Sequence, residues 1–167
     1  SHDSGACIIK FDDKNEFLDF VAISEDRLVR KKHTYAFPLN SIYQCMLHFN
    51  LKKLSEISWI YSDWIKEPIW FRSGPGYNYQ MYDYLKEKFK FNKKKIIQLS
   101  HHLCHAASTY YTSGYKKSAV LVIDGLGSDN ETHSVYKAKN LKINFLQRYK
   151  HRGIGALYTA ITKKIGL

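Results

Sequence analysis

The 167-residue sequence contains no apolar run of about 18 residues or more. It does not open with a charged segment followed by an apolar stretch, the pattern of a secretory leader. We therefore expect no membrane-spanning helix in this sequence and a cytoplasmic protein. Cysteine is also scarce, with three residues placed far apart at Cys7, Cys45 and Cys104. An odd number at such spacing argues against a disulfide framework and is typical of a reducing compartment.

Acidic residues and arginine are both in short supply. The chain has 15 acidic and 26 basic residues, a formal charge of +11, and 21 of the basic residues are lysine. A positive charge of this size attracts nucleic acid, but phosphate and base recognition relies on the planar fork of arginine. The composition therefore predicts a solvated basic surface and argues against nucleic acid as a partner.

The length suits one domain, or two small lobes, with a real core. Apolar periodicity predicts an alternation of strands and helices. The predicted strands are 6–11, 17–24, 57–62, 95–100 and the two that flank residues 124–127. The predicted helices are 39–49, 81–91 and one that starts at 101 with Ser100 as its N-cap, and 66–78 is predicted as a long loop.

An acidic-glycine turn occurs twice, as DSGA at 3–6 and as DGLG at 124–127. Glycine lets the backbone approach a phosphate closely, and an adjacent aspartate can hold a divalent cation. The candidate residues are Gly5, Gly125 and Gly127 for close approach, with Asp3 and Asp124 as the acids. The repetition predicts two related lobes that face one cleft, and the alternative is a pair of ordinary hairpin turns.

Three histidines stand within five residues at the start of a predicted helix. His101 and His105 are four residues apart, so they share a helical face and their imidazoles can bind one metal ion. His102 points about 100° away, and we expect it to support the site or to lie on the surface. Asp124 is the natural third ligand, and a set of two histidines and a carboxylate suits iron, zinc or manganese. The alternative is a helix start with solvated histidines.

The segment SEDRLVRKKHTYAFP at 24–38 concentrates positive charge. Its basic residues are Arg27, Arg30, Lys31, Lys32 and His33. They are candidates for contact with an anionic substrate, because arginine is rare elsewhere in the chain. A solvated connection is the alternative.

Taken together, these stretches resemble the NodU/CmcH family of O-carbamoyltransferases. The matches follow the family order along essentially the whole chain: SHDSGACIIK, SEDRLVRKKHTYAFP, the highly specific HHLCHAASTYYTSGYKKSAVLVIDGLG, and GIGALYTAITKKIGL at 153–167. One stretch departs from the family, which has a glutamate and an aromatic residue after DGLG where this sequence has SDNETHSVY.

The resemblance implies an α/β fold of the actin/hexokinase/Hsp70 (ASKHA) type, with two ribonuclease-H-like lobes and nucleotide between them. Residues 1–117 are then expected to form the first lobe and 118–167 to begin the second, with sequence missing at both ends. The resemblance also implies a C-terminal YrdC-like domain and kinship with tRNA threonylcarbamoyl-transfer proteins, whose histidine pair has the same spacing.

The resemblance assigns a role to each candidate residue. The implied metal ligands are His101, His105 and Asp124, with iron preferred over zinc or manganese and a further aspartate expected after residue 167. The residues implied to face ATP or carbamoyl-adenylate are Asp3, Ser4 and Gly5 in the first turn, and Gly125 and Gly127 in the second. The implied catalytic residues are His2, for acid/base or orienting work, and Lys31 or Lys32, for contact with the anionic donor.

The implied reaction has two steps. Carbamoyl phosphate and ATP give carbamoyl-adenylate in the YrdC-like domain, and the carbamoyl group then passes to the hydroxyl of a small acceptor. We expect this chain alone to be inactive. The alternatives are a tRNA threonylcarbamoyl-transfer relative, which the basic charge favours, and a non-catalytic nucleotide-binding module that binds no metal through its histidines.

Overall fold

The computed structural model describes residues 4–32, 37–63, 90, 96–127, 129–150 and 153–166. These residues fall into two compact units. The first unit holds the described residues up to 58 together with Lys90, and the second holds those from 59 onward. Within the described ranges, no helix is both long enough and apolar enough to cross a membrane.

The first unit is a β-hairpin covered by a helix. Strands β1 (Gly5–Phe11) and β2 (Phe17–Ser24) pair antiparallel, which confirms the predicted hairpin. The carboxylate of Asp12 closes the polar turn by accepting hydrogen bonds from the backbone N–H groups of Lys14 and Glu16. An aspartate at the end of β1 therefore defines where the chain reverses.

Two helices follow the hairpin, α1 (Glu25–Val29) and α2 (Leu39–His48), and a short 3-10 helix spans Leu54–Glu56. Helix α2 confirms the helix predicted over 39–49, and it packs on both strands. Its buried face includes Cys45, whose Sγ lies 3.5 Å from the carbonyl oxygen of Ala6. Among the described residues of this unit, the buried apolar side chains are Cys45, Met46 and Leu54.

Glu25 is 1% exposed and ties α1 to the start of α2. Its carboxylate accepts hydrogen bonds from the backbone N–H and hydroxyl of Ser41, at 2.8 and 2.6 Å, and from the amide of Asn40 at 2.6 Å. Burial raises the pKa of Glu25, but the hydrogen bonds from Ser41 and Asn40 outweigh it, so the pKa is lowered. A charged carboxylate thus caps a helix whose first N–H groups have no partner within the helix.

The described residues of the second unit form a parallel strand pair, a three-stranded antiparallel sheet and two helices. Its strands are β3 (Ile60–Ser62) parallel to β4 (Ile96–Gln98), and β5 (Lys117–Ile123), β6 (Glu131–Lys139) and β7 (Lys142–Lys150) in that spatial order. Its helices are α3 (His101–Thr112) and α4 (Ile154–Lys164).

Helix α3 supplies the core of this unit by packing on β5 and β6. The buried apolar cluster consists of Ala106, Tyr110, Val120, Val122, Tyr136 and Ala138. The residues on α3 are four apart, and those on each strand are two apart, as a helix and a strand that bury one face require. This packing holds the first turn of α3 beside the end of β5.

Most elements match the sequence-based predictions. Strands β3 to β6 and helix α3 lie where they were predicted, whereas α1 and β7 were missed. The loop at 66–78 lies outside the described residues, as does the helix at 81–91 apart from Lys90. The ASKHA fold and the lobe boundary at 117/118 stay predictions.

Candidate metal centre

The first turn of α3 presents two histidines on one face. Ser100 caps the helix with an extended backbone and a hydroxyl that accepts from the N–H of Leu103 at 3.4 Å, so α3 begins at His101 as predicted. One turn later, the Nε2 atom of His105 lies 3.1 Å from that of His101. The two imidazoles therefore converge.

Asp124 follows the last residue of β5 and completes the group. Its Oδ2 atom lies 2.9 Å from Nε2 of His101 and 3.9 Å from Nε2 of His105. The three ligand atoms all lie within 4.8 Å of one another. The structure thus brings together the three residues predicted to bind metal, named here the histidine–aspartate cluster.

Asp63 is a fourth member of the site that the sequence analysis missed. Its carboxylate accepts a hydrogen bond of 2.8 Å from the Nδ1–H of His101. Asp63 directly follows β3, and α3 starts just after the neighbouring parallel strand β4. Since parallel strands end at the same edge of a sheet, Asp63 and His101 become neighbours there. An acidic residue directly after the predicted strand at 57–62 was the signal available in the sequence.

His101 is held between two carboxylates, Asp63 on its Nδ1 side and Asp124 on its Nε2 side. The hydrogen bond to Asp63 is the main reason that the pKa of His101 is raised, and Asp124 adds to it against the effect of burial. In return, the hydrogen bond from His101 lowers the pKa of Asp63. Because the Nδ1–H of His101 donates to Asp63, a neutral His101 would turn the lone pair of Nε2 toward the carboxylate of Asp124, which is repulsive. The contact is favourable only when a proton or a metal ion lies between Nε2 and Asp124.

The donor set fits a divalent transition metal. Bonds of about 2.0–2.2 Å from one ion place neighbouring ligand atoms roughly 3 Å apart, close to the separations of 2.9 and 3.1 Å around His101. The side chain of His105 is 52% exposed, so the cluster has an open side. A histidine ligand that donates its other N–H to a carboxylate is typical of metal sites, and Asp63 provides that carboxylate.

His102 lies behind the cluster rather than on the surface, and it is 0% exposed. Its Nδ1 atom lies 2.7 Å from the hydroxyl of Ser134 on β6, and its Nε2 atom lies 4.0 Å from Oδ2 of Asp124. Burial lowers the pKa of His102. Of the two alternatives drawn from the sequence, the structure therefore favours a supporting residue.

The glycine turn after β5 is held mostly by its own contacts. The N–H of Gly125 donates to Oδ1 of Asp124, and the N–H of Gly127 donates to the carbonyl of Glu131 at 2.7 Å. A Cβ atom at Gly127 would lie 2.5 Å from the buried carboxyl group of Glu131, so a larger residue there would force the Glu131 side chain to move. That these two glycines face a phosphate stays a prediction.

The other predicted site residues lie within the first 32 residues of the chain. His2 and Asp3 lie outside the described residues. Gly5 faces β2 so closely that a Cβ atom there would lie 2.9 Å from the carbonyl oxygen of Ile23, which explains the glycine without a ligand. The carbonyl of the preceding Ser4 accepts a hydrogen bond of 2.9 Å from the N–H of Glu25. Their role at a nucleotide stays a prediction.

The two predicted donor-binding lysines are exposed. The ammonium group of Lys32 lies 2.7 Å from Oδ2 of Asp26, and Ser24 donates its hydroxyl to the other oxygen. These hydrogen bonds, first from Lys32 and then from Ser24, lower the pKa of Asp26 to about 2. Lys32 therefore already has an anionic partner, and contact of Lys31 or Lys32 with a carbamoyl donor stays a prediction.

Comparison with known proteins identifies the family. Residues 61–167 match the model of the carbamoyltransferase N-terminus, a region that contains Asp63 and the whole histidine–aspartate cluster. The chain is 26% identical over 195 residues to the uncharacterized protein sll1178 of Synechocystis sp.. The aligned region covers 99% of this chain and 30% of that protein.

Two archaeal proteins are also similar. The uncharacterized protein MJ1051 of Methanocaldococcus jannaschii is 29% identical over 167 residues, 99% of this chain and 28% of its own length. The uncharacterized protein MJ1058 of the same organism is 30% identical over 97 residues, 48% of this chain and 16% of its own length. This chain thus spans less than a third of the length of each of the three relatives. With its family match over 61–167, the chain belongs to the carbamoyltransferase N-terminus family.

Proposed function

We propose that this chain is the metal-binding part of an O-carbamoyltransferase of the NodU/CmcH type. The observation that carries the proposal is the convergence of His101, His105 and Asp124 within 4.8 Å, in a chain that belongs to a carbamoyltransferase family. The proposed fold is the ASKHA fold. Because the chain spans less than a third of its relatives, we assign the activity to the full-length protein.

The proposed donor is carbamoyl-adenylate, made in a YrdC-like domain from carbamoyl phosphate, which releases inorganic phosphate, and ATP, which releases pyrophosphate. In the transfer step, the acceptor oxygen bonds to the carbamoyl carbon, the bond from that carbon to the adenylate phosphate oxygen breaks, and the hydroxyl proton passes to a base. A bound divalent cation supplies Lewis-acid polarisation of the donor's carbonyl or phosphate oxygen. His2 remains the predicted base or orienting group.

The residues of this chain prepare the site in three ways. Asp63 holds the Nδ1–H of His101, which leaves Nε2 directed at the cluster. The N–H of Gly125 holds Oδ1 of Asp124, so that Oδ2 is the oxygen turned toward the histidines. The exposed side of His105 leaves room for a donor oxygen to approach the site.

The test is elemental analysis of the anaerobically purified full-length protein beside a His101→Ala/His105→Ala double variant. We expect near-stoichiometric iron, zinc or manganese in the wild type and none in the double variant. The matched control is His48→Ala, which removes an exposed histidine that pairs with Asp19 in the first unit. Equal, negligible metal in all three proteins would contradict the proposal and favour a metal-free nucleotide-binding module.

Activity is tested separately, by incubating the full-length protein with carbamoyl phosphate, ATP and a panel of small hydroxyl compounds. We expect pyrophosphate release that depends on carbamoyl phosphate. If the protein binds metal but releases no pyrophosphate, the proposed metal site stands and the proposed donor chemistry is rejected.

The formal charge of +11 supports a second candidate, a tRNA threonylcarbamoyl-transfer relative. That function requires tRNA binding, with an affinity that falls steeply as salt increases because phosphate contacts release counterions. A filter-binding titration at two salt concentrations distinguishes it from transfer to a small acceptor.

A further inference from the structure

His102 presents a polar atom that the fold leaves unsatisfied. The residue is 0% exposed, and its Nε2 atom is the one buried side-chain nitrogen or oxygen in the described part of the chain that has no hydrogen-bond partner. Buried polar atoms are almost always paired, because losing water without gaining a partner costs free energy. The direction in which this atom points therefore calls for a functional reason.

The atom faces Asp124. Nε2 of His102 lies 4.0 Å from Oδ2 of Asp124, the same oxygen that lies 2.9 Å from Nε2 of His101. A distance of 4.0 Å is longer than a hydrogen bond, and a shift of about 1 Å would close it. His102 therefore stands just behind the oxygen that turns toward the histidine–aspartate cluster.

The carboxylate of Asp124 determines which nitrogen of His102 carries the proton, and the hydroxyl of Ser134 is compatible with that choice. A neutral imidazole has one N–H and one acceptor nitrogen. The carboxylate attracts an N–H on Nε2 and repels a lone pair there, so Nδ1 is the acceptor. Ser134, itself 1% exposed, then donates its O–H to Nδ1 across 2.7 Å. This hydrogen bond from Ser134 holds the ring in the orientation that directs Nε2–H at Asp124.

We propose that His102, whose ring is held by Ser134, is a positioning residue that orients the carboxylate of Asp124 for a divalent cation. Oδ2 of Asp124 has one lone pair for the cation and another for the Nε2–H of His102. If Asp124 moved about 1 Å toward His102 when a cation binds, its Oδ2 atom would accept a hydrogen bond from the unpaired N–H, and that bond would hold the carboxylate in its ligating orientation. This inference rests on the proposed metal site and adds a residue that binds no metal itself.

The geometry argues against His102 as a metal ligand. The ring centres of His101 and His105 lie 4.6 Å apart, whereas the ring of His102 lies 6.0 Å from the first and 6.4 Å from the second. Its Nε2 atom is also absent from the group of ligand atoms that lie within 4.8 Å of one another. His102 therefore acts through Asp124.

The test compares metal affinity with the stability of the metal-free protein. Full-length wild type, His102→Leu, His102→Gln, Ser134→Ala and His101→Ala are titrated with Zn²⁺ against a chromophoric chelator, and each metal-free protein is melted. We expect His102→Leu to weaken Zn²⁺ binding about 10- to 100-fold, as is usual when a residue that orients a metal ligand is lost. The metal-free His102→Leu protein should melt at a lower temperature, because the substitution removes the unpaired Nε2 atom but also leaves the buried hydroxyl of Ser134 without its acceptor. The melt confirms that the titrated protein is folded.

His102→Gln is the rescue variant, since its side-chain NH₂ can take the place of Nε2–H, and we expect it to recover most of the affinity. Ser134→Ala should weaken binding by a smaller factor, and it serves as the main test should His102→Leu not fold. Its matched control is Ser118→Ala, a serine on β5 outside the site.

Two results would overturn the proposal in distinguishable ways. Unchanged Zn²⁺ affinity in both His102→Leu and Ser134→Ala, with binding abolished in His101→Ala, would leave the metal site in place and reject His102 as its positioning residue. Wild-type binding that His101→Ala leaves unaltered would reject the metal site and this inference together.

Discussion

Each unit holds a carboxylate among several polar partners, but the partners differ in kind. In the first unit, the oxygens of Glu25 receive N–H and O–H groups from Asn40 and Ser41, all within 2.6–3.3 Å. In the second unit, Oδ2 of Asp124 is approached by imidazole nitrogens at 2.9, 3.9 and 4.0 Å. The partners of Glu25 bring their own protons, whereas an imidazole nitrogen brings either a proton or a lone pair.

This difference separates a stabilising carboxylate from a ligand carboxylate. Glu25 is 1% exposed and its acceptors are filled by the chain, so it has no capacity left for a further partner. The side chain of Asp124 is 30% exposed, and its neighbours include the exposed His105. A carboxylate among imidazoles with solvent on one side is suited to a cation that the chain does not provide.

Removing the charge of Asp124 is expected to have the largest effect on metal binding. We expect Asp124→Asn to lower Zn²⁺ affinity by about 100-fold or more, because a neutral amide is a far weaker metal ligand than a carboxylate. Glu25→Gln is the matched change in the first unit and should leave Zn²⁺ affinity unchanged. The measurement is a chelator competition titration, and equal losses in the two variants would contradict the assignment.

The free energy of unfolding of the metal-free protein is expected to show the opposite order, with the larger loss at Glu25. Glu25→Gln should lower the free energy of unfolding by about 1.5–3 kcal/mol, because it weakens the charge-assisted hydrogen bonds from Ser41 and the cap on α2. Denaturant titration of the metal-free protein measures this loss. Asp124→Asn should cost less than Glu25→Gln in the same experiment, and a larger cost for Asp124→Asn would reverse the roles given to the two carboxylates.

Asp63 differs from both carboxylates because it holds the proposed metal ligand His101 by a hydrogen bond and is not itself a ligand. We expect Asp63→Asn to lower Zn²⁺ affinity about tenfold, since an amide holds the Nδ1–H of His101 less strongly than a carboxylate does. The control is Asp19→Asn, which removes the carboxylate that pairs with His48 in the first unit. An Asp63→Asn protein with wild-type affinity would show that His101 is oriented by the helix alone.

The smallest effect is expected at Asp26, through the pH dependence of stability. Its pKa is about 2 in the folded protein against an ordinary value of 3.8, so its stabilising contribution is complete above about pH 4 and is lost as the pH falls toward 2. Asp26→Asn should therefore flatten the decline in unfolding free energy between pH 4 and pH 2. The exposed Asp13 provides the control variant Asp13→Asn, and identical acid profiles for the wild type and both variants would contradict the prediction.

The predicted hairpin, helix α2 and the capped start of α3 were accessible from the sequence because each depends on neighbours within a few residues. Strand β7 was missed although its signal is local. Asn140 and Leu141 both take positive φ angles, 48° and 64°, and form the turn between β6 and β7. Leucine is unusual in that conformation, so the turn lacks the asparagine–glycine pair that typically indicates such a hairpin.

The sequence by itself determined the pairing of His101 with His105, since four residues of helix place two side chains on one face whatever surrounds them. The hydrogen bond between His101 and Asp63, which lies 38 positions earlier, is visible only in the tertiary structure. The tertiary structure also decided that His102 is buried between Ser134 and Asp124. The reason is that helical periodicity is set by backbone hydrogen bonds within one segment, whereas contacts between distant residues depend on how strands pair and which face a helix buries.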